Sequence, residues 1–161
     1  MARRTRHSEE PHMTTALHLA RPEDLDRITA MVASFHAETG IEMTETLCRE
    51  ALLPLLEGIP HGCAYLIGPA RAPLGYVIVS FGWSIACGGM DGFVDEIWIR
   101  PAVRRRGIAS EVLTELPKAL AGAGLKALHL KLDRDNETAQ RLCVRARFQG
   151  RDPRTLMTRR L

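Results

Sequence analysis

No apolar run in this chain approaches the about 18 residues that a membrane-spanning helix needs. The opening MARRTRHSEEPH has arginines but no apolar stretch behind them, as a secretory signal would. These two absences point to a cytoplasmic protein without a membrane partner. Cysteine is sparse, and Cys48, Cys63, Cys87 and Cys143 form no CxxC and stand at no Cys/His ligand spacing. Lying inside apolar or helical segments, they are expected as buried thiols rather than disulfides or zinc ligands. His7, His12 and His18 belong to the polar, arginine-rich start, so no metal site is expected. The chain contains neither GxxxxGK[ST] nor GxGxxG, and no repeat or linker divides it. Its basic residues have no aromatic platform or recognition-helix pattern beside them, which disfavours nucleic acid as a partner.

What is present is enough for one domain: 161 residues, 45% of them hydrophobic. The net charge of +3 hides a division. Residues 14–99 carry 4 bases and 11 acids, a net of −7, whereas residues 100–161 carry 15 bases and 6 acids, a net of +9. Such a chain suits two partners of opposite charge, or one partner with two unlike ends. Residues 1–13 have no apolar periodicity and read as a disordered tail; residues 14–161 read as a single domain, with a homodimer compatible with it.

The expected elements alternate along the chain. Leu17 and Leu19 flank His18 in a short strand, and Pro22, Glu23 and Asp24 then suit a helix start. Leu25, Ile28, Val32 and Phe35 mark one buried helical face, with Gly40 as its stop. A second helix begins at the cap Thr44 and becomes irregular near Pro54 and Gly58. Strands are expected over 64–67 and 74–81, joined by a turn. A loop ends in Cys87-Gly88-Gly89-Met90, and the next strand, 93–99, has its apolar run interrupted by Asp95 and Glu96. A helix with Val112, Leu113, Leu116 and Leu120, a strand over 125–132, a helix over 136–147 and a terminal strand within 148–161 complete the order.

Between the interrupted strand and the following helix lies Arg104-Arg105-Arg106-Gly107-Ile108-Ala109. A glycine just before a helix places unpaired N–H groups and the positive end of the helix dipole at the turn, a setting for a phosphate. The arginines can add charge around it, or simply form a solvated turn.

On these residues the chain resembles the GNAT superfamily of N-acetyltransferases. Arg104-Arg105-Arg106-Gly107-Ile108-Ala109 is similar to that family's Arg/Gln-x-x-Gly-x-Gly/Ala loop, and Val94 to Pro101 to its central strand and exit. Asn136-Glu137-Thr138-Ala139-Gln140-Arg141-Leu142-Cys143 is similar to its Asn-x-x-Ala-x-x-Leu-Tyr helix. The resemblance covers about residues 15–158. It implies an α/β (α+β) fold with a mixed, mostly antiparallel central sheet flanked by helices, and a cleft where strands splay to take acetyl-CoA. It further implies that the backbone of Ile97, Trp98 and Ile99 receives the pantetheine arm, that residues 104–109 hold the pyrophosphate, and that Asn136 shapes the far side. Arg141 and Arg145 can add phosphate contacts or form a solvated helix face.

Acetyl transfer to an amine needs the amine uncharged, the reactants aligned and the carbonyl oxygen stabilised. Glu96 is the favoured water-relayed base, with Asp95 and structural or substrate-charge roles as alternatives, since neighbours on a strand face opposite ways. Cys143 stands where the family has a tyrosine acid; it can donate a proton, be a buried thiol, or sit idle in the cleft. Arg147 replaces the glycine that often precedes the family's Phe, here Phe148, so that turn is expected to be atypical. Glu38, Glu42 and Glu45, near the junction of the first two helices, can attract a cationic amine acceptor or be ordinary surface glutamates. Tyr76, Phe81, Trp83 and Trp98 are expected in the core rather than as pocket walls. A noncatalytic acetyl-CoA-binding module is the competing reading.

Overall fold

The computed structural model describes residues 15–150 and 155–161. The proposed tail, with His7 and His12, lies outside the described residues. Five strands form one sheet in sequential order: β1 Leu17–Leu19, β2 Gly62–Ile67, β3 Gly75–Ser84, β4 Gly89–Ile99 and β5 Ala127–Leu130. All neighbours are antiparallel except β4 and β5, which run parallel. A parallel pair needs a crossover, and α3 (Ile108–Gly122) supplies it. The remaining helices are α1 Leu25–Thr39, α2 Glu45–Glu57 and α4 Glu137–Arg145. Among the described residues no helix is long and apolar enough to cross a membrane.

Two apolar layers sandwich the sheet. Ile28, Met31 and Val32 of α1 pack with Cys48, Leu52 and Leu56 of α2 against Ala64, Leu66, Tyr76 and Trp98. On the other face Val112, Leu113, Leu116 and Leu120 of α3 and Cys143 of α4 pack against Ile67, Val77, Val79, Val94 and Ile99. Strand alternation accounts for this sorting. Ala64 and Leu66 of β2 face the first layer, while Tyr65 and Ile67 face the second.

Alternation breaks once, at a position that matters. Ile78 pairs with Glu96 and Val79 with Val94, so two consecutive residues of β3 oppose residues of β4 separated by Asp95. Asp95 is therefore the extra residue of a β-bulge. One inserted residue exchanges the faces of a strand: Val94 points to the α3 layer, yet Glu96 and Trp98 point to the α1/α2 side, leaving Ile97 and Ile99 toward α3. Without the bulge, Val94, Glu96 and Trp98 would share one face.

Several boundaries differ from expectation. The hairpin between β3 and β4 is longer than the alternating pattern suggests, because the ladder continues through Trp83 with Met90 and Ser84 with Gly89. Backbone pairing does not require apolar alternation at a solvent-exposed tip, where Trp83 is 75% exposed rather than in the core. The expected terminal strand is absent from residues 155–161. Leu156 and Met157 are exposed there, so the segment has no apolar face against the sheet; residues 151–154 lie outside the described residues.

Candidate active site

The parallel ladder between β4 and β5 covers only Asp91 to Val94. Beyond it, β4 keeps β3 on one side and, among the described residues, has no strand on the other, which opens the splay at residues 95–99. A cleft of about 350 Å³ opens at this end. It brings together Ile97, Trp98 and Ile99 of β4, Arg104, Arg105, Gly107, Ile108 and Ala109 of the loop and helix start, and Glu38 of α1. Phe35, Thr39, Val103, Ser110 and Leu142 complete the lining.

The loop is arranged as an anion receptor. Gly107 has φ +81°, and no Cβ placed there would meet an atom within 4 Å, so glycine is required by backbone conformation rather than crowding. It occupies the cap position of α3 without a side chain to cap it. The first helical hydrogen bond runs from the Glu111 N–H to the Gly107 carbonyl at 3.0 Å. Ile108, Ala109 and Ser110, whose amides precede that first helical bond, line the cleft at the positive end of the helix dipole. Arg105 adopts φ +60°, an uncommon conformation for a side-chain-bearing residue. Arg106 is exposed and does not line the cleft.

Arg104 is held by several groups. Its Nε donates to the Ile99 carbonyl at 2.7 Å, and its Nη2 lies 2.9 Å from both carboxylate oxygens of Glu38. The Trp98 indole N–H also donates to Glu38, at 3.0 Å. The indole first and the guanidinium second hold the Glu38 carboxyl below the ordinary glutamate range. Glu38 therefore belongs to the loop's cleft.

The two acids in β4 part company at the bulge. Asp95 is exposed and lines neither cleft. The side chain of Glu96 is 15% exposed, with Oε1 2.7 Å from Nε2 of His36 and Oε2 accepting from the Tyr76 hydroxyl at 2.8 Å. Burial, and then the Glu96 charge, push the Tyr76 phenol far above its ordinary range, so it stays a donor. His36 in turn lines a second cleft, of about 790 Å³, between α1 and α2, where Glu42, Glu45 and Cys48 also lie. Glu96 itself lines neither cleft; its neighbour His36 gives it contact with the second. The sequence reading does not single out His36, and it names Tyr76 only as a core aromatic. The available signals were a histidine falling on the apolar face of α1, four residues after Val32, and a tyrosine inside a strand whose hydroxyl must find a partner when buried.

The remaining candidate residues lie outside both clefts. Cys143 is buried on α4, with its neighbour Leu142 rather than itself lining the cleft at the loop. Burial pushes its thiol up, making it a poorer acid, and its short side chain leaves it in the α3 layer. Asn136 lines neither cleft; its side-chain oxygen caps α4 by accepting from the Ala139 N–H at 3.0 Å. Arg141 pairs weakly with Glu137 at 3.4 Å on an exposed face, and Arg145 is exposed too. Of the four free cysteines only Cys48 and Cys143 are buried. At the opposite end of β4, Cys87, Asp91 and His129 hold their ligand-type atoms within 4.8 Å of one another, a grouping hidden by its sequence spacing. Asp91 and His129 already pair there at 3.3 Å.

The model of the acetyltransferase (GNAT) family matches residues 29–148. Among curated proteins no sequence matches the chain. Of solved structures, an integron cassette protein from the mobile metagenome of Cole Harbour Salt Marsh is 25% identical, with a TM-score of 0.77 and 90% of each chain covered. The ribosomal-protein-alanine N-acetyltransferase of Brucella melitensis biovar Abortus 2308 is 19% identical, with a TM-score of 0.71, covering 90% of this chain and 98% of that one. An aminoglycoside N-acetyltransferase, AAC(6')-Iy in complex with CoA, is 12% identical, with a TM-score of 0.75 over 91% of this chain and 95% of that one.

Proposed function

The chain belongs to the GNAT acetyltransferase family, and from that premise we propose that it transfers an acetyl group from acetyl-CoA directly to a primary amine of a small molecule or a peptide. The observation that carries this reading is one cleft holding both the free edge at the end of β4 and the start of α3 that no side chain caps. An acyl-pantetheine arm carries amides that pair with a strand edge, and its diphosphate suits helix-start amides beside arginines. The residues present therefore fit acetyl-CoA: the backbone of 97–99 for the arm, and the amides of Ile108, Ala109 and Ser110 with Arg104 and Arg105 for the diphosphate. When bound, it supplies an acetyl group activated as a thioester.

The chain's own contribution is alignment and proton removal. An amine attacks only when uncharged, so a group must take its proton. Glu96 is that acceptor in our reading, through water, with the Tyr76 hydroxyl and His36 fixing its carboxylate. The acidic character of the α1/α2 junction, including Glu42 and Glu45, favours an acceptor that arrives as an ammonium ion. Incubation with acetyl-CoA and a panel of polyamines, amino acids and lysyl peptides tests this, read as free thiol release and acetylated product. CoA binding without product from any amine would sink the catalytic reading. One observation favours that noncatalytic alternative: the tyrosine position is filled by the buried thiol of Cys143, which leaves no acid from α4 in the cleft. The module would then bind CoA thioesters and release no thiol.

A further inference from the structure

An anion receptor that contains its own carboxylate calls for an explanation. Glu38, on the last turn of α1, lines the same cleft as Gly107 and the first turn of α3, and occupies the guanidinium of Arg104. Arg104 is the first residue of the Arg-x-x-Gly-x-Ala run, while its guanidinium carbon stands 5.9 Å from the centre of the Trp98 ring. Both charged side chains are about two-fifths exposed, 39% for Arg104 and 41% for Glu38. A pair so exposed is held weakly and exchanges readily. A diphosphate, with more charge and more acceptor oxygens than a carboxylate, outcompetes it for a guanidinium.

We infer that Glu38 is an exchangeable latch on Arg104, which the diphosphate of the cofactor displaces on entry and which returns to Arg104 as the cofactor leaves. The inference rests on the acetyl-CoA reading above. Displacement costs the cofactor part of its affinity, and the returning carboxylate shortens its stay. The Trp98 indole keeps its hydrogen bond to Glu38 within reach, so the carboxylate has a resting place beside Arg104.

The test is CoA binding, by calorimetry for affinity and stopped flow for dissociation, to the wild type, Glu38→Gln, Arg104→Gln and the double variant. Pantetheine, which lacks the diphosphate, is measured by competition against CoA. Glu38→Gln is expected to bind CoA roughly two- to five-fold more tightly, the range of an exposed ion pair, and to release it more slowly. Pantetheine affinity should not change, and in the Arg104→Gln background the Glu38 substitution should have no effect. CoA affinity unchanged or weakened by Glu38→Gln would overturn the latch alone. An equal gain for pantetheine would also overturn it, by showing that Glu38 merely crowds the cleft. A wild type that binds no CoA would overturn the cofactor reading together with the latch.

Discussion

The two sides of the end of β4 are built in opposite ways. On the α3 side the loop from Arg104 to Ala109 makes its cleft wall from consecutive residues and backbone amides. On the α1 side the carboxylate of Glu96 is placed by His36 and Tyr76, which lie 60 and 20 residues away in sequence. The first side depends on local conformation, the second on the register of three elements. Damage to the two should therefore separate binding from chemistry. The largest expected effect is that of Glu96→Gln: a fall in turnover of roughly 10²- to 10⁴-fold, the contribution of a positioned general base, with CoA affinity retained. A parallel loss of CoA binding would merge the two regions and break the comparison.

The same contrast governs what could be read from the chain. The loop was legible because a glycine before a helix with arginines beside it carries its meaning within six residues, and eight of the residues assigned to the cofactor do line one cleft. The helices and most strands are legible from periodicity, whereas the mixed sheet follows from the resemblance and the expected terminal strand is absent from residues 155–161. The Glu96 cluster was half legible: acids inside an apolar strand stood out, but alternation alone did not say which one turns inward. The answer lies in the bulge at Asp95, a property of pairing with β3 that appears in no window of β4 itself. Glu38 was singled out as an acid near the first helix junction, yet its place beside Arg104 depends on how α1 lies across the end of β4. Asn136 and Cys143 were assigned by resemblance, and their contacts are those of a helix cap and a core thiol.

The Tyr76 hydroxyl offers a sharper test of the side-chain-built region. Tyr76→Phe removes a hydrogen bond to a carboxylate and should cost roughly 1.5–3 kcal/mol at neutral pH, measured by denaturant unfolding. The advantage of the tyrosine shrinks in alkali. Because the folded-state value of Tyr76 is raised, its contribution is full below the unfolded tyrosine value of about 10 and is lost as pH rises toward the folded one. The wild type should thus lose stability more steeply above about pH 10 than Tyr76→Phe. Tyr65, also raised by burial, leaves a residual slope in both. On the backbone-built side, Gly107→Ala forces a Cβ into a left-handed conformation at roughly 1–2 kcal/mol. Relief of that strain by the loop should weaken CoA binding while the thermal transition falls only slightly.

The smallest effect concerns a glycine that is missing. Arg147 has φ +67° at the end of α4, its N–H reaching the Val144 carbonyl at 3.0 Å, and Phe148 donates to the Cys143 carbonyl at 2.9 Å. This is the Schellman pattern, whose left-handed position usually belongs to glycine. Arginine there costs roughly 1–2 kcal/mol of strain, part of which glycine gives back through its freer unfolded chain, roughly 0.4–1 kcal/mol. Arg147→Gly should therefore stabilise the protein by up to about 1 kcal/mol, while Arg147→Ala, which keeps the Cβ, should gain nothing. A gain with alanine would point instead to relief of charge repulsion in the basic half. Arg105, at φ +60°, carries similar strain inside the cleft. Glycine at that position should gain stability too, but at the expense of CoA affinity, because there the strained residue also brings a charge to the anion site.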